Sequence, residues 1–316
     1  MNAPTEHRGP ALITLVGPTA SGKTDISLAL AERFGAHIIN YDSVQLYAHL
    51  EIGSAKPSAD ERARAPHHLY EYGTPEFEPT AGDYARAAGE LIEGLLEKGE
   101  RIILVGGTGL YLRALVYGLA GAPPTEPEIR AQIAERFEGA SPEEIHAALS
   151  EVDPQAAARL EINDRQRITR ALEVFEQTGR ALSDWQAEHG FAAPRLDVRC
   201  LGLDVPRETL YERIDARSAK MIAQGIIGEV ERLLAMGYKA EGRALSSIGY
   251  RHVLAHLRGE LDAAQLLETL ARDTRRYAKR QLTWWRGDQS VTWLDATQGP
   301  AAFIEAARRI WEGDGA

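Results

Sequence analysis

The chain has 316 residues, 44% hydrophobic and 26% charged, which is the balance of a soluble globular protein and excludes a disordered one. Its net charge of −10 argues against nucleic acid binding by the surface as a whole. Screening confines each charge to about 8–10 Å, however, so a local basic stripe can still bind phosphates. The single Cys200 excludes an internal disulfide, fits a reducing cytoplasm and, with no thiol or His beside it, reads as structural.

In chain order, Ala11–Val16 reads as a short apolar strand. It is too short for a signal-peptide core or a membrane span, and no cleavage site flanks it. Lys23–Phe34 is a predicted helix with Ile26, Leu30 and Phe34 on one face, His37–Asn40 a second strand, Asp83–Glu97 a helix and Ile102–Val105 a third strand. Wholly apolar strands separated by helices predict a parallel sheet covered on both faces. From Pro123 to Pro194 helix starts follow one another: Thr125-x-x-Glu128, Ser141-Pro142-x-Glu144, Asp153-Pro154 and Asn163-x-x-Gln166. Val198–Val205 then returns as a strand, with long helical segments up to Arg286. With Gly17-x-x-x-x-Gly22-Lys23-Thr24 lying between the first strand and the first helix, the expected fold class is α/β, a P-loop NTPase-like parallel sheet flanked by helices with a mostly helical insertion. The expected boundaries are a first core part at 1–120, the insertion at 121–195 and a second core part at 196–316.

Gly17-Pro18-Thr19-Ala20-Ser21-Gly22-Lys23-Thr24 matches G-x-x-x-x-G-K-[ST] between a strand and a helix, the setting that separates a working phosphate loop from a chance match. The glycines let backbone N–H groups turn toward a phosphate, and the positive helix end adds to the attraction. Lys23 supplies a point charge, and the Thr24 hydroxyl suits Mg²⁺. Nucleotide-hydrolysing relatives of this loop hold the metal with an acid at the end of a second apolar strand. Here Ile102–Val105 runs into Gly106-Gly107-Thr108-Gly109, with no acid. The obvious carboxylate is Asp42, in Asp42-Ser43-Val44-Gln45. With His37–Asn40 taken as the neighbour of the P-loop strand, both strand ends open on one crevice, which brings Asp42 near a bound phosphate. Thr108, at another strand mouth, could face it, and either residue could equally be a loop cap.

Arg272, Arg275, Arg276, Lys279 and Arg280 share one helical face. With Arg286 they make six bases against one acid, Asp273, over 272–286. Trp284-Trp285 follows, and aromatic faces beside basic residues suit base stacking. In the insertion, Ile168, Ala171, Leu172 and Phe175 form an apolar stripe, so Arg165, Arg167 and Arg170 are expected to point to solvent or a partner. Arg213 and Arg217 could reach an anion together or pair with Glu212 and Asp215. Ser246–Arg251 suits a backbone-approach loop. His67-His68 lacks partners at metal spacing and reads as hydrogen-bonding.

Together these segments resemble one family, the tRNA dimethylallyltransferases, which make N6-isopentenyladenosine beside the anticodon. The resemblance rests on GPTASGKT (Gly17–Thr24), DSVQLY (Asp42–Tyr47), GSAKP (Gly53–Pro57, with Ser54 for the family's Thr), PHHL (Pro66–Leu69), GGTGLYL (Gly106–Leu112), NDRQRITR (Asn163–Arg170), IGYR (Ile248–Arg251) and KRQLTWWR (Lys279–Arg286). They stand in the family's order across nearly the whole chain. The resemblance implies transfer of a dimethylallyl group from dimethylallyl diphosphate to N6 of adenosine 37 in tRNAs reading codons that begin with U, releasing diphosphate. It implies Asp42 as general base, Thr108 assisting, Arg217 on the diphosphate and Mg²⁺ at Thr24. Implied contacts with the tRNA anticodon stem-loop are Asp42, Ser43, Val44, Gln45 and Thr108, with Arg130, Gln166, Arg167, Ile168, Thr169 and Arg170 from the insertion. Ser246, Ser247, Ile248, Gly249, Tyr250 and Arg251 form a third group, and Lys279, Arg280, Gln281, Leu282, Thr283, Trp284, Trp285 and Arg286 a fourth. A cytoplasmic monomer with no membrane partner is expected. The competing readings are a small-molecule P-loop kinase, an adenylate isopentenyltransferase acting on the free nucleotide, and a nucleotide-dependent RNA-binding module without catalysis.

Overall fold

Leu12–Val16 is buried at every position and forms strand β1, as an apolar run needs when both faces of a sheet are covered. The computed structural model describes residues 11–74, 77–190 and 193–313. Residues 1–10, where no signal peptide was expected, lie outside it. After β1 come α1 (Lys23–Phe34), β2 (His37–Asn40), α2 (Ala59–Ala63), β3 (His67–His68), α3 (Ala81–Leu96), β4 (Ile102–Val105) and α4 (Gly109–Tyr117). Helices α5 (Pro127–Arg136), α6 (Pro142–Val152), α7 (Pro154–Ala157), α8 (Arg165–Thr178) and α9 (Leu182–His189) follow. The chain closes with β5 (Val198–Asp204), α10 (Arg207–Ala223), α11 (Ile226–Ala235), α12 (Tyr250–Leu257), α13 (Ala263–Arg286), β6 (Val291–Asp295) and α14 (Ala301–Glu312). Residues 117–194 form one compact unit, and the segments before and after them together form the other.

Among the described residues six strands make one sheet, in the order β3-β2-β4-β1-β5-β6, with every neighbouring pair parallel. Thus β2 is not the neighbour of β1, as the sequence reading had it; β4 stands between them. The register still brings the three strand ends level, because Val105 pairs with Leu15 on one side and Asn40 on the other. Segments leaving β1, β2 and β4 therefore open on the same crevice. Beneath it, Ile13, Leu15, Leu28, Leu30, Ile103 and Leu203 form a fully buried core. Strand β3, only two residues long, and the half-exposed β6 escaped the sequence reading.

The smaller unit packs Ile133, Ile145, Leu149, Ile168 and Leu172. Ser141 caps α6 in a capping box, and Pro154 opens α7 behind the N-cap Asp153, both as their sequences predict. The buried Asp153 carboxylate also accepts from Ser183 N at 3.0 Å, tying α7 to α9. Two caps were misplaced. Thr125 does not cap α5: the N-cap is Glu126, and the Thr125 hydroxyl donates to Glu173 instead. Helix α8 is capped by Asp164, one residue past Asn163, through its bond from Arg167 N.

Cys200 lies on β5, and burial pushes its thiol up to about 11, so little thiolate forms at neutral pH. His67 and His68 are hydrogen-bonding residues, to Ala65 O and to His37. No helix among the described residues is long and apolar enough to cross a membrane.

Candidate active site

The three strand ends frame a cavity of about 600 Å³ lined by residues 19–25 of the P-loop and the start of α1, by 42–45 after β2 and by Gly106 and Gly107 after β4. Helices α10 and α13 complete it with Arg213, Arg217, Tyr277, Arg280 and Gln281. Gly22, at φ 98°, turns the P-loop into α1, a left-handed conformation that favours glycine. Ser21 Oγ is buried with no hydrogen-bond partner among the described residues. An orphaned buried hydroxyl in such a loop marks a place that a ligand oxygen satisfies.

Three cations face this loop: Lys23, Arg217 and Arg213. Lys23 Nζ donates to Gly17 O at 2.9 Å and Pro18 O at 2.8 Å. Desolvation by burial pulls its ammonium down to about 7, against the attraction of Asp42, while the nearby positive charge of Arg217 lowers it further. Arg217 donates to Thr19 Oγ1 at 3.2 Å; burial lowers its guanidinium from the usual range and Asp42 pulls it back up. Arg213 reaches Ser21 O at 3.5 Å, and Asp215 pairs with Arg275 instead. Both arginines therefore turn toward the loop rather than to their acidic neighbours in sequence.

Asp42 sits across the cavity in a turn that it caps itself. Its Oδ1 accepts from Val44 N at 2.9 Å and Gln45 N at 3.4 Å, while Asn40 Oδ1 accepts from Asp42 N at 2.8 Å. Its Oδ2 has no hydrogen-bond partner among the described residues and lies over Gly107. Gly106 and Gly107 are needed for that approach: a Cβ on Gly106 would stand 2.6 Å from Asp42 N, and one on Gly107 2.7 Å from Asp42 Oδ2. Thr108 does not bond Asp42 directly. Its hydroxyl accepts from Ser43 N and donates to Ser43 Oγ, both at 3.0 Å, pinning the turn that carries the carboxylate.

Helix α13 locks the two sides together. Gln281 accepts from Thr19 N at 2.7 Å and donates to Gly107 O at 2.9 Å; Tyr277 donates to the same carbonyl at 3.0 Å. Gln281, expected on an RNA-facing surface, is instead a buried strut. Tyr277 was missed, although it stands one turn before Gln281 on the same face.

Other residues expected at the tRNA surface divide sharply. Ile168, Tyr250 and Trp285 are buried, because each falls on the apolar stripe of its helix, so these three side chains are withdrawn from the surface; Gly249 is buried beside Tyr250. Leu282 packs partly against the core. Arg170, expected to point outward, folds back to donate to Pro123 O at 2.8 Å and to Thr125. Arg130, Gln166 and Arg167 are exposed and Thr169 is half-buried. Ser246 is exposed, Ser247 and Ile248 are half-buried, and all three line the cavity with Arg251. The basic face of α13 is partly self-neutralised: Asp273 pairs with Arg251, Arg272 and Arg276. Lys279 and Arg280 form no ion pair among the described residues, and with Arg276, Thr283 and Trp284 they line a second, shallow depression. Arg286 is exposed near Asp204.

The IPP transferase family profile matches residues 45–288, and the isopentenyl transferase profile residues 10–70. The chain belongs to the IPP transferase family. It is 48% identical over 286 residues to the tRNA dimethylallyltransferase of Geobacter sulfurreducens, covering 90% of this chain and 91% of that one. It is 44% identical over 301 residues to tRNA dimethylallyltransferase 2 of Geotalea daltonii, covering 95% and 91%. The crystal structure of the full-length tRNA isopentenylpyrophosphate transferase of Bacillus halodurans is similar at a TM-score of 0.70 and 32% identity, covering 96% of this chain and 97% of that one. A eukaryotic dimethylallyltransferase captured acting on tRNA is similar at 0.78 and 26% identity, covering 95% and 78%.

The site also suits the divalent ion such an enzyme would use. Mg²⁺ takes few protein ligands and keeps water and phosphate oxygens around it. The hard oxygen of the Thr24 hydroxyl, in a residue that lines the same cavity as Ser21, offers one such ligand.

Proposed function

We propose that this chain transfers a dimethylallyl group from dimethylallyl diphosphate to the N6 amine of adenosine 37 of tRNA. The observation that carries the reading is an anion site and an unbonded carboxylate oxygen sharing one cavity. The P-loop amides, Lys23 and Arg217 hold the diphosphate. Thr24 would hold Mg²⁺, which supplies further neutralisation of the leaving group's charge when bound. As the N6–carbon bond forms, the bond from the allylic carbon to the diphosphate oxygen breaks and diphosphate departs with the electron pair. The amine proton passes to Asp42 Oδ2; such general-base help is worth about 10²–10⁴ in rate. The adenine must leave its stack to enter, at a cost of a few kcal/mol. Ser246, Arg251, Lys279, Arg280, Thr283, Trp284 and Arg286, with Arg130, Gln166, Arg167 and Thr169 of the smaller unit, offer backbone and stacking contacts to offset it. Ser43, Val44 and Gln45 form the wall beside Asp42. The phosphate loop thus grips a leaving group, which accounts for glycines at the end of β4 where a nucleotide-hydrolysing enzyme carries an acid.

Purified protein incubated with dimethylallyl diphosphate and total tRNA, then digested for mass spectrometry of nucleosides, should yield N6-isopentenyladenosine. Asp42→Asn, which keeps an oxygen for Val44 N, should lower the yield rate by about 10²-fold or more. Transfer of phosphate from ATP to a small hydroxyl compound, with no alkylated tRNA, would establish the kinase reading instead. AMP serves as the control acceptor; preference for AMP over tRNA would move the reaction to the free nucleotide.

A further inference from the structure

Helix α11 presents Ile226, Glu229, Val230 and Leu233 on its buried face, so a carboxylate occupies a position that helical periodicity reserves for an apolar side chain. Glu229 is only 2% exposed, and a buried carboxylate persists only where donors surround it. Its donors all come from the cavity wall or its support. Oε2 accepts from Ile52 N at 2.7 Å; Oε1 accepts from Gly53 N at 3.2 Å and from the Tyr250 hydroxyl at 2.6 Å. The same Tyr250 oxygen accepts from Ser54 N at 3.1 Å. Burial and the neighbouring carboxylate push the Tyr250 phenol well above its ordinary value, so it stays a donor. The ring is seated against Gly53, where a Cβ would stand 2.5 Å from Tyr250 Cζ.

The loop held in this way leads to Asp42. Gln45 Nε2 donates to Ser54 O and Ala55 O, each at 3.1 Å, and Gln45 N belongs to the turn that Asp42 Oδ1 closes. Ala55 is held at φ 47°, a strained conformation for a residue with a side chain, which persists where surrounding bonds over-determine it. Gly53, Ser54, Ala55 and Gln45 all line the cavity. The P-loop side of the cavity is supported differently, through Gln281 and Arg217.

We propose that Glu229 is a positioning residue for the acceptor side of the cavity, acting through Tyr250 and the 52–55 loop on Gln45 and the Asp42 turn. Its task is to set the general base against the incoming amine, and the diphosphate side does not depend on it. This inference rests on the transferase reading above.

Glu229→Gln is the diagnostic substitution. Its amide keeps the shape but offers one oxygen, so either Ile52 N–H or Gly53 N–H must face an NH₂ group. The expected result is a fall in single-turnover tRNA alkylation of about 10²-fold, the scale of roughly 1 Å of misplacement at a reacting group. Calorimetric binding of inorganic pyrophosphate should keep its affinity within about 2-fold, with unchanged stoichiometry. Tyr250→Phe, which deletes one donor and one acceptor from the same chain of bonds, should show a smaller loss in the same direction. The double variant should be no slower than Glu229→Gln alone, because both break one linkage. Full alkylation rate in Glu229→Gln would overturn the proposal. So would loss of pyrophosphate stoichiometry in step with the rate, since that reports general unfolding. A wild-type protein that binds pyrophosphate yet alkylates no tRNA would overturn the transferase reading, and this inference with it.

Discussion

Asp42 Oδ2 lies where a side chain on Gly107 would begin: a Cβ there would stand 2.7 Å from it and 2.8 Å from Gln281 Nε2. Gly107→Ala must therefore displace either the carboxylate or the strut joining β4 to the P-loop. A shift of about 1 Å in a reacting group costs on the order of 10²-fold in rate. The variant should lose about that much in tRNA alkylation while still binding pyrophosphate through Lys23 and Arg217. An alkylation rate within about 3-fold of wild type would show that Asp42 does not need its present place.

The tryptophan pair separates binding from stability. Trp284 is 43% exposed beside Lys279 and Arg280, whereas Trp285 is 5% exposed. Stacking of a base on an aromatic ring is worth about 1–3 kcal/mol, so Trp284→Ala should weaken tRNA affinity by roughly 5- to 150-fold with little change in melting temperature. Removing a buried aromatic side chain costs about 3–5 kcal/mol, so Trp285→Ala should lower the urea midpoint markedly. Equal effects of the two substitutions on tRNA affinity in folded protein would contradict this division.

What the sequence makes legible here is what is local. Strand, G-x-x-x-x-G-K-T and helix are contiguous, so the phosphate loop could be read directly. The place of β2 two strands from β1 depends on crossovers, which leave no mark in either segment. Strand β3 has only His67 and His68, too few for a period to show. Asn163 and Asp164 are equally good caps side by side, and tertiary packing chooses between them. Glu229 and Gln281 did leave a signal, a polar residue on an apolar stripe. Their partners in the 52–54 loop and the P-loop are 176 and 262 residues away in sequence, so spacing alone could not supply a role.

Asp273 gives a pH test of the α12–α13 junction. Its carboxylate accepts from Arg251 at 2.8 Å, His252 at 3.1 Å, Arg272 at 3.2 Å and Arg276 at 3.3 Å. Burial alone would raise it, but hydrogen bonds from His252, Arg251 and Arg272 outweigh that and hold it at about 2. An unfolded Asp titrates near 3.9. The lowered folded value therefore stabilises the protein fully above about pH 4–5, and the contribution drains away as pH falls toward 2. The difference in urea midpoint between wild type and Asp273→Asn should be largest at pH 5–6 and shrink steadily down to pH 2.5. A difference that stays constant or grows on acidification would mean the cluster does not hold the carboxylate ionised.

Lys23 should make donor binding depend on pH in the opposite limb. Before the donor binds, its amine is lowered to about 7, desolvation being the main cause; a bound diphosphate supplies the opposite charge that restores the ammonium. Below pH 7 the site is already protonated, and affinity should be flat in this group. Above pH 7 each binding event must take up a proton, so affinity should fall about tenfold per pH unit until the amine of the complex itself titrates. The last phosphate ionisation lies near pH 6, so from pH 7.5 to 9 the donor's own charge is constant and the slope belongs to the protein. Calorimetry of dimethylallyl diphosphate binding across that range, in two buffers of different ionisation enthalpy, measures both the slope and the proton uptake. Lys23→Arg carries a guanidinium that stays charged, so it should bind more weakly overall but with the slope removed. Wild-type affinity that does not change between pH 7.5 and 9 would mean that the amine is already charged before the donor arrives.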